Sequence, residues 1–268
     1  MAIPAASISI WKDRIVFTSP SFAGEESSRP AMAVVIGTQG PVRISTEQEC
    51  YSGRLLLVAP NVRRSISADN AGLYSLQLDP TNRICRYQRT RVLREKPVVD
   101  LSMYAERVIM QTAADALELP QSGEAICAGS QRILDTVFPG TAGLPPIDPR
   151  VEIVASWIWT HVPARTDLGF LADMCGLSES GLAHLFAAVT GSSISQYLLW
   201  VKMRKAAEMF VENVKLTEVA HVIGFSDSAH LSRTFKKYFS ITPSFLSNPR
   251  LVRVQLCDAA LLSPGEFV

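Results

Sequence analysis

The first 160 residues of this 268-residue chain contain no histidine, because all four histidines lie between residues 161 and 230. Histidine is the side chain best suited to act as a base near neutral pH, and it is a common zinc ligand. An enzyme in this first part that relies on a histidine base or on a histidine-bound metal is therefore excluded. We expect no enzymatic activity, no metal and no cofactor.

Paired cysteines and long apolar runs are also missing. The five cysteines are scattered singly, and none belongs to a C-x-x-C pair. Their odd number and spacing argue against a disulfide framework or a zinc knuckle and fit a reducing cytosol. No apolar run approaches the ~18 residues that a membrane helix needs. We therefore expect a cytoplasmic protein with no membrane partner.

Neither sign of charge dominates, since the formal net charge is +1. Residues 1–149 hold 15 basic and 15 acidic side chains, and residues 150–250 hold 10 and 8. Bulk charge thus does not indicate a nucleic-acid partner, and any such case must rest on local pattern. The 47% of hydrophobic residues can build a sizeable core, and the length allows one large domain or two ordinary ones.

Short apolar runs separated by turn residues fill the first third of the chain and predict a small β-barrel or sandwich. These runs are 8–11, 15–18, 32–36, Leu55–Val58 and Leu73–Leu78. After Pro97 the apolar period becomes helical, which predicts helices over 100–119, with Asp100 as N-cap, and over 122–138. Four prolines and two glycines at 139–149 indicate a linker, and Asp148-Pro149 is a good helix start.

Two ten-residue stretches in the second half resemble each other, 48 positions apart: LADMCGLSES at 171–180 and VAHVIGFSDS at 219–228. In each, a short helix is predicted to end at a glycine, Gly176 or Gly224, that adopts a left-handed or closely packed turn. The serine that follows, Ser178 or Ser226, is predicted to cap the next helix. The pattern indicates two helix–turn–helix units.

The second helix of each unit carries an apolar anchor pair, Leu182 with Phe186 and Leu231 with Phe235. Its opposite face is left exposed, and in a helix–turn–helix this face enters the DNA major groove. A long amphipathic helix, Ile194–Val211, is predicted to join the two units. The sequence thus predicts an α+β protein of two domains. These are a β-rich domain with two helices (1–138, strands within 1–97) and, after the linker 139–149, an all-α domain (150–248) with a motif-free tail (249–268).

The helical half resembles the AraC/XylS family of transcription regulators. The segments that carry the resemblance are KAAEM at 205–209, LTEVA at 216–220, IGF at 223–225, LSRTFKKYF at 231–239 and TP at 242–243. Gly176, Ser178, Leu182, Phe186 and Thr190-Gly191 are similar to the family's first unit. The resemblance implies a regulator that binds promoter DNA and works with RNA polymerase. Its two recognition helices would read successive major grooves, ~34 Å apart.

The exposed faces of the two recognition helices predict the DNA contacts. Arg233, two positions after Leu231, is the candidate for a bidentate contact to guanine, and His184 holds the corresponding position in the first unit. The remaining base-contact candidates are Ser180, Ala183, Ser228, Ala229 and His230. The phosphate-contact candidates are Arg204, Lys205, Lys236 and Lys237. For each cation, a solvated surface charge is the alternative.

By resemblance alone, the first domain is similar to the cupin-type sensors of the family, in which a barrel cavity would bind a small effector. Arginines cluster at 63–64 and 83–94. Arg63, Arg64 and Arg86 are the candidates to bind a carboxylate or phosphate of that effector. The alternative, a solvated sheet edge that blocks aggregation, is the interpretation that we favour for these arginines from sequence alone.

Two alternatives stay open for the first domain. It is a protein-interaction module without a ligand, or an enzyme that carries the helical domain as a regulatory tail. The helices at 100–119 and 122–138 have apolar stripes, which pack on the barrel or pair with a second copy in a homodimer.

Overall fold

The structure is a computed structural model, and it describes residues 6–118, 122–162 and 167–257. The described strands are β1 (Ala6–Ile10), β2 (Arg14–Ser19), β3 (Phe22–Ala23), β4 (Met32–Gly37), β5 (Val42–Ser45), β6 (Cys50–Gly53), β7 (Leu55–Val58), β8 (Ser65–Ala68), β9 (Leu73–Leu78), β10 (Val98–Asp100) and β11 (Val252–Leu256). The described helices are α1 (Arg83–Gln88), α2 (Arg107–Asp115), α3 (Gly123–Val137), α4 (Pro149–His161), α5 (Leu168–Met174), α6 (Glu179–Thr190), α7 (Ile194–Val211), α8 (Leu216–Val222), α9 (Ser228–Phe239) and α10 (Pro243–Leu246).

Two sheets form the first domain. The larger has the strand order β10-β7-β4-β9-β2-β1-β11, and the smaller has the order β3-β8-β5-β6. Neighbouring strands pair antiparallel in the described residues, except that β11 runs parallel to β1 with Ala6 opposite Val252. The two-domain α+β architecture that the sequence predicts is confirmed.

The larger sheet separates two hydrophobic cores. On β4, Ala33 and Val35 face a core shared with the smaller sheet and the helical domain, whereas Val34 and Ile36 face a core closed by α1, α2 and α3. Because both faces are covered, β4 and β7 are continuous runs without a polar side chain rather than alternating ones. Leu55–Val58 and Leu73–Leu78 are predicted with the bounds that the structure has.

The helix predicted over 100–119 begins later than expected. Asp100 ends β10, the backbone N–H of Leu101 donates to the carbonyl of Leu55 (2.8 Å), and α2 starts only at Arg107. Sheet pairing therefore overrides the local helical pattern, and Asp100 does not cap α2; its side chain accepts from the backbone N–H of Ser102 (2.8 Å), where a single 3-10 turn begins. By contrast, α3 begins behind Ser122, whose side chain accepts from the backbone N–H of Ala125 (3.2 Å).

The arginine-rich end of the predicted β-region is helical. Asn82 caps α1 by accepting from the backbone N–H of Ile84 (2.9 Å), and a π-helical turn, Arg89–Leu93, follows. The prediction of strands up to residue 97 is wrong here, because Asn82 starts a helix. Asp148 and Pro149 start α4 as predicted, with the Asp148 side chain accepting from the backbone N–H of Arg150 (3.0 Å).

The prediction of a motif-free tail over 249–268 is wrong for Val252–Leu256. These residues form β11, whose pairing with β1 returns the chain to the edge of the first domain after the last helix. The sequence gives no sign of this, because the strand is formed by a partner nearly 250 residues away. Residues 258–268 lie outside the described part of the chain.

Candidate functional site

The two helix–turn–helix units are α5 with α6 and α8 with α9. Their turns pass through Gly176 (φ +63°) and Gly224 (φ +75°), in the left-handed region that side chains disfavour. A Cβ on Gly176 would meet nothing within 4 Å, and one on Gly224 would lie 3.4 Å from Lys202 Nζ. The sequence leaves open whether these glycines are needed for a left-handed backbone or for close packing. The structure shows that the left-handed backbone is the reason.

The two recognition helices, α6 and α9, are capped differently. Ser178 caps α6 as predicted, accepting from the backbone N–H of Gly181 (3.1 Å). The predicted cap Ser226 is wrong: Asp227 caps α9 by accepting from the backbone N–H of His230 (2.7 Å), and Ser226 donates to that carboxylate (3.0 Å). These hydrogen bonds hold the pKa of Asp227 below its usual range. The carboxylate is the stronger acceptor, so α9 begins later in its unit than α6 does in the first.

The apolar anchors behave as predicted. Leu182, Phe186, Leu231 and Phe235 are all fully buried. The joining helix α7 has the predicted bounds, Ile194–Val211, and begins with a capping box between Ser193 and Gln196.

The faces opposite the anchors are open. His184 and Arg233 are exposed, as are Ser180, Ala229 and His230, whereas Ala183 and Ser228 are partly buried. The His230 ring lies edge-on to the Phe225 ring, with 5.0 Å between centroids, so packing against the turn orients that side chain. The exposed face of α6 thus carries small side chains and His184, and that of α9 carries Ala229, His230 and Arg233, which are side-chain types that can contact base edges.

Of the four predicted phosphate contacts, the prediction for Arg204 is wrong. Its side chain is 1% exposed and forms an ion pair with Asp79 (3.4 Å), so it is unavailable to DNA. Lys205 bonds to Glu208 one turn further along α7 (3.1 Å). Lys236 pairs with Glu25 of the first domain (2.7 Å), and Lys237 is exposed.

Asp79 is a buried acceptor that joins the domains. One carboxylate oxygen accepts from Trp200 Nε1 (2.9 Å) and Arg204 Nη1 (3.4 Å) of α7, and the other accepts from Thr81 Oγ1 (2.7 Å). The Arg204 guanidinium also donates to the Lys12 carbonyl (2.7 Å) and lies 4.7 Å from the centre of the Trp159 ring. Burial lowers the pKa of Arg204, and the Asp79 charge opposes that shift.

A cleft lies between the two sheets and the helical domain, and the space within it, including open solvent, is about 690 Å³. The sequence predicts a cavity inside the first domain's barrel, whereas this cleft uses both domains. Most of its wall is apolar: Ile8, Ile10, Ile15, Phe17, Phe22, Ile66, Leu73, Ala207, Phe235, Phe239, Ile241 and Leu246. Its polar lining consists of Arg29, Ser75, Gln77, Arg204 and Ser240.

Three polar atoms of the cleft lining are buried and make no hydrogen bond among the described residues: Arg29 Nε, Arg204 Nε and Gln77 Oε1. Arg29 donates through Nη1 to the Tyr238 carbonyl (2.8 Å). Burial and the neighbouring Arg64 together hold the pKa of Arg29 well below its usual range. Arg64 is buried as well, with Nε and Nη2 unpaired, and burial lowers its pKa to about 10. The cleft therefore presents donors and uncompensated positive charge beside an apolar wall.

The three arginines predicted to bind an effector do not form one site. Arg63 is exposed and paired with Glu26 and Glu47, and Arg86 donates to the Pro145 carbonyl of the linker. Of the three, only Arg64 is a buried cation beside the cleft. The second buried cation there is Arg29, which the sequence analysis did not identify. A lone arginine in a serine-rich turn carries no signal that it will be buried.

The described residues include no group of three or more histidine, cysteine or acidic side chains placed to hold a metal ion. Among the helices that the structure describes, none has the length and apolar character to cross a membrane.

Comparison with known proteins gives matches in the helical domain. A family model described as a helix-turn-helix domain matches residues 171–248. The Msm operon regulatory protein of Streptococcus mutans is 40% identical over 76 residues, which make up 28% of this chain and 27% of that protein. The multiple antibiotic resistance protein MarA of Escherichia coli is 30% identical over 94 residues, 35% of this chain and 74% of MarA. The match thus spans about a quarter of the Msm regulator but most of MarA.

Solved structures of ToxT from Vibrio cholerae resemble the whole fold. An apo variant of ToxT is 10% identical, with a TM-score of 0.61 over 88% of this chain and 97% of that one. Wild-type ToxT bound to an unsaturated fatty acid is 12% identical, with a TM-score of 0.52 over 88% of this chain and 95% of that one. At this identity the likeness shows a shared fold.

Proposed function

Because this chain belongs to the AraC/XylS family of transcriptional regulators, we propose that it is a cytoplasmic, sequence-specific DNA-binding protein that regulates transcription. The observation that carries the proposal is the pair of recognition helices on one joining helix, each anchored by a buried apolar pair. Their outer faces expose His184 and Arg233. Such helices read base edges in the major groove, and two of them on one chain read two half-sites.

Equilibrium binding tests this function. A duplex selected from random sequence by the full chain is compared with a scrambled duplex of equal length and composition, at physiological salt. We expect the selected duplex to bind at least ~10³-fold more tightly, the lower end for specific DNA-binding proteins. Equal affinity for the two duplexes would reject the function.

We propose further that the cleft between the domains binds the effector, and that the effector is a small molecule with an apolar body and a single negative charge. The apolar wall suits a hydrocarbon or aryl body. The unpaired Nε of Arg29 offers a charge-assisted hydrogen bond to a carboxylate. ToxT, which shares the fold, has been solved with an unsaturated fatty acid.

Charge supplies the second argument for an anion. Arg29 and Arg64 are two buried cations, the charge of Arg64 lowers the pKa of Arg29, and neither has an acidic partner among the ion pairs of the described residues. Buried charges are costly unless they are paired. An anion in the cleft would supply the missing countercharge without breaking the hydrogen bond from Arg29 to Tyr238.

Thermal unfolding with matched ligand pairs tests the effector. Linear and aryl monocarboxylates are compared with the corresponding alcohols, in the parent chain and in Arg29→Met. At a ligand concentration of about 100 Kd, stabilisation of about 2.7 kcal/mol is expected for the carboxylates in the parent. The alcohols and the variant should show much less. Equal stabilisation by carboxylates and alcohols would reject the anion subsite.

The alternative, a first domain that only binds other proteins, predicts no stabilisation by any compound of this class. The structure favours the ligand, because an interaction module has no need of buried, unpaired guanidinium groups beside an apolar cleft. Binding to RNA polymerase stays a prediction from the resemblance, and homodimer formation stays a prediction from the apolar stripes of the helices at 100–119 and 122–138.

A further inference from the structure

The first domain holds the C-terminal end of the first recognition helix. Arg89 Nη2 donates to the carbonyls of Ala188 and Val189 in the last turn of α6. Asn61 Nδ2 donates to the carbonyl of Gly191, the left-handed residue that ends this helix (3.0 Å). The Arg89 side chain lies so close over Gly191 that a Cβ there would be 2.8 Å from Arg89 Cδ.

The second recognition helix is held in the same way at the same end. Arg29 Nη1 donates to the carbonyl of Tyr238 in the last turn of α9 (2.8 Å). Ser240, which ends this helix in the left-handed conformation, donates through Oγ to the carbonyl of Glu25 (2.8 Å). Glu25 also pairs with Lys236, so the segment before Arg29 follows the end of the helix.

The same electrostatic effect favours both sets of contacts. The last carbonyls of a helix lack intrahelical donors and carry the negative end of the helix dipole, so a cation there is favourable. Arg29 and Arg89 supply that cation from outside the helical domain. The base-contact candidates lie nearer the opposite, N-terminal ends of the two helices, so the arginines hold the helices without covering those faces.

The joining helix is the main internal link between the two units. The first unit, with α4, and the second unit, with α10, both pack on α7. In the described residues no helix of the first unit packs extensively on a helix of the second. The first domain therefore provides a second connection between the two units: Arg89 attaches it to α6, and Arg29 attaches it to α9.

We propose that Arg29 and Arg89 are positioning residues for DNA recognition: they fix the distance and angle between the two recognition helices and so set the half-site spacing that the protein accepts. The inference rests on the proposed function for its DNA part and adds a geometric role for the first domain. Arg29 also lines the cleft, whereas Arg89 does not, so the role of Arg89 is separate from ligand binding. Each base pair added between half-sites moves the second one by about 3.4 Å and turns it by about 35°. Units that are attached both to α7 and to the first domain cannot follow that change.

A DNA-free distance measurement tests the geometric part. Spin labels are placed at the exposed residues Ala187 of α6 and Ala229 of α9 through a non-cysteine amino acid, and pulsed electron resonance records the distance distribution. The parent should give one narrow distribution. Arg29→Met combined with Arg89→Met should broaden it, and Arg89→Lys, which keeps the cation, should restore most of the narrowing that Arg89→Met removes.

Matched controls are the exposed arginines Arg63, paired with Glu26, and Arg91, which lies over the Tyr87 ring. Arg63→Met combined with Arg91→Met should leave the distribution unchanged. If the variant with Met at both 29 and 89 unfolds, Arg89→Met alone carries the test, since Arg89 is only partly buried. A narrow distribution in the folded Arg89→Met chain overturns the proposal.

DNA binding tests the consequence, with duplexes in which the selected half-sites are moved apart by one or two base pairs. On these duplexes the parent should lose ~100-fold in affinity. The chain with Arg29→Met and Arg89→Met should lose only ~10-fold, because flexibly linked units still reach both half-sites. Equal discrimination by parent and variant overturns the role in spacing. If no duplex is bound specifically, the proposed function fails and this consequence fails with it, while the distance distributions still decide the geometric role.

Discussion

Asp79 and Arg204 form an ion pair in which each side chain is 1% exposed, and this pair joins the end of β9 to the middle of the joining helix. Trp200 donates to the same carboxylate oxygen, and the Arg204 guanidinium lies 4.7 Å from the centre of the Trp159 ring and 5.6 Å from that of the Trp200 ring. A residue that the sequence places among DNA contacts is thus part of the attachment between the two domains.

Breaking this pair from the acidic side should strongly destabilise the chain. Asp79→Ala leaves Arg204 buried without its countercharge, and such changes cost about 3–5 kcal/mol. We expect a loss of this size in the free energy of unfolding measured with urea. Arg204→Met should cost less, because Asp79 keeps its hydrogen bonds from Thr81 and Trp200.

The neighbouring Lys205 provides the control for the Asp79 experiment. Its ion pair with Glu208 is partly exposed, so Lys205→Met should change stability by at most about 0.5 kcal/mol. An Asp79→Ala loss no larger than that of Lys205→Met would contradict the structural role of the buried pair.

Arg64→Met should stabilise the ligand-free protein at pH 7. Burial lowers the pKa of Arg64 to about 10, so the folded chain binds that proton less tightly than the unfolded chain, where the pKa has its usual, higher value. The charge thus destabilises the fold below pH 10, and this penalty is relieved as the pH rises further. Urea unfolding should show a gain on the order of 1 kcal/mol. Destabilisation instead would mean that Arg64 already has its countercharge.

The same variant should weaken carboxylate binding, since Arg64 adds positive charge next to Arg29. A titration monitored by thermal unfolding would measure this, with Arg63→Met, an exposed neighbour, as the control. Undiminished stabilisation by carboxylates in Arg64→Met would place the anion away from the two arginines.

Gly176→Ala should destabilise the first unit by about 1–2 kcal/mol, the penalty for a side chain in the left-handed region. Space plays no part, because a Cβ at Gly176 meets nothing within 4 Å. Gly143 is an equally open glycine without a positive φ, so Gly143→Ala should be neutral or slightly stabilising. Gly176→Asn should recover part of the loss. Equal effects at both glycines, measured by thermal unfolding, would contradict this explanation.

Arg233→Ala and Lys237→Ala should affect DNA binding differently. A bidentate base contact is worth about 1–3 kcal/mol at one position, so Arg233→Ala should relax specificity there and leave other positions unchanged. Lys237→Ala should weaken all duplexes similarly and reduce the salt dependence by about one phosphate contact. Arg250→Ala, an exposed change outside α9, is the control. A uniform loss for Arg233→Ala would make it a phosphate contact.

Local patterns are sufficient to predict most of the helical domain. Leu182 and Phe186 are spaced to bury one helix face, the left-handed Gly176 ends the preceding helix, and α7 has its predicted bounds. These features depend on residues within a few turns of each other, so the sequence contains the information.

What the sequence does not reveal depends on distant partners. β11 is a strand only because β1 has an open edge, and Arg204 is buried only because Asp79 stands at the end of β9. Arg29 and Arg89 follow no motif, and their roles emerge when two helix ends dock on the first domain. The cleft is likewise formed by residues from both domains, which no local pattern connects.

Selection of duplexes from random DNA by the full chain, followed by sequencing, tests the central claim most directly. Two recognition helices predict a bipartite motif with two half-sites about one helical turn apart. The Arg233→Ala chain should lose sequence preference in one half-site and keep it in the other. A single uninterrupted motif, or no enriched motif, would contradict reading of DNA by two helices.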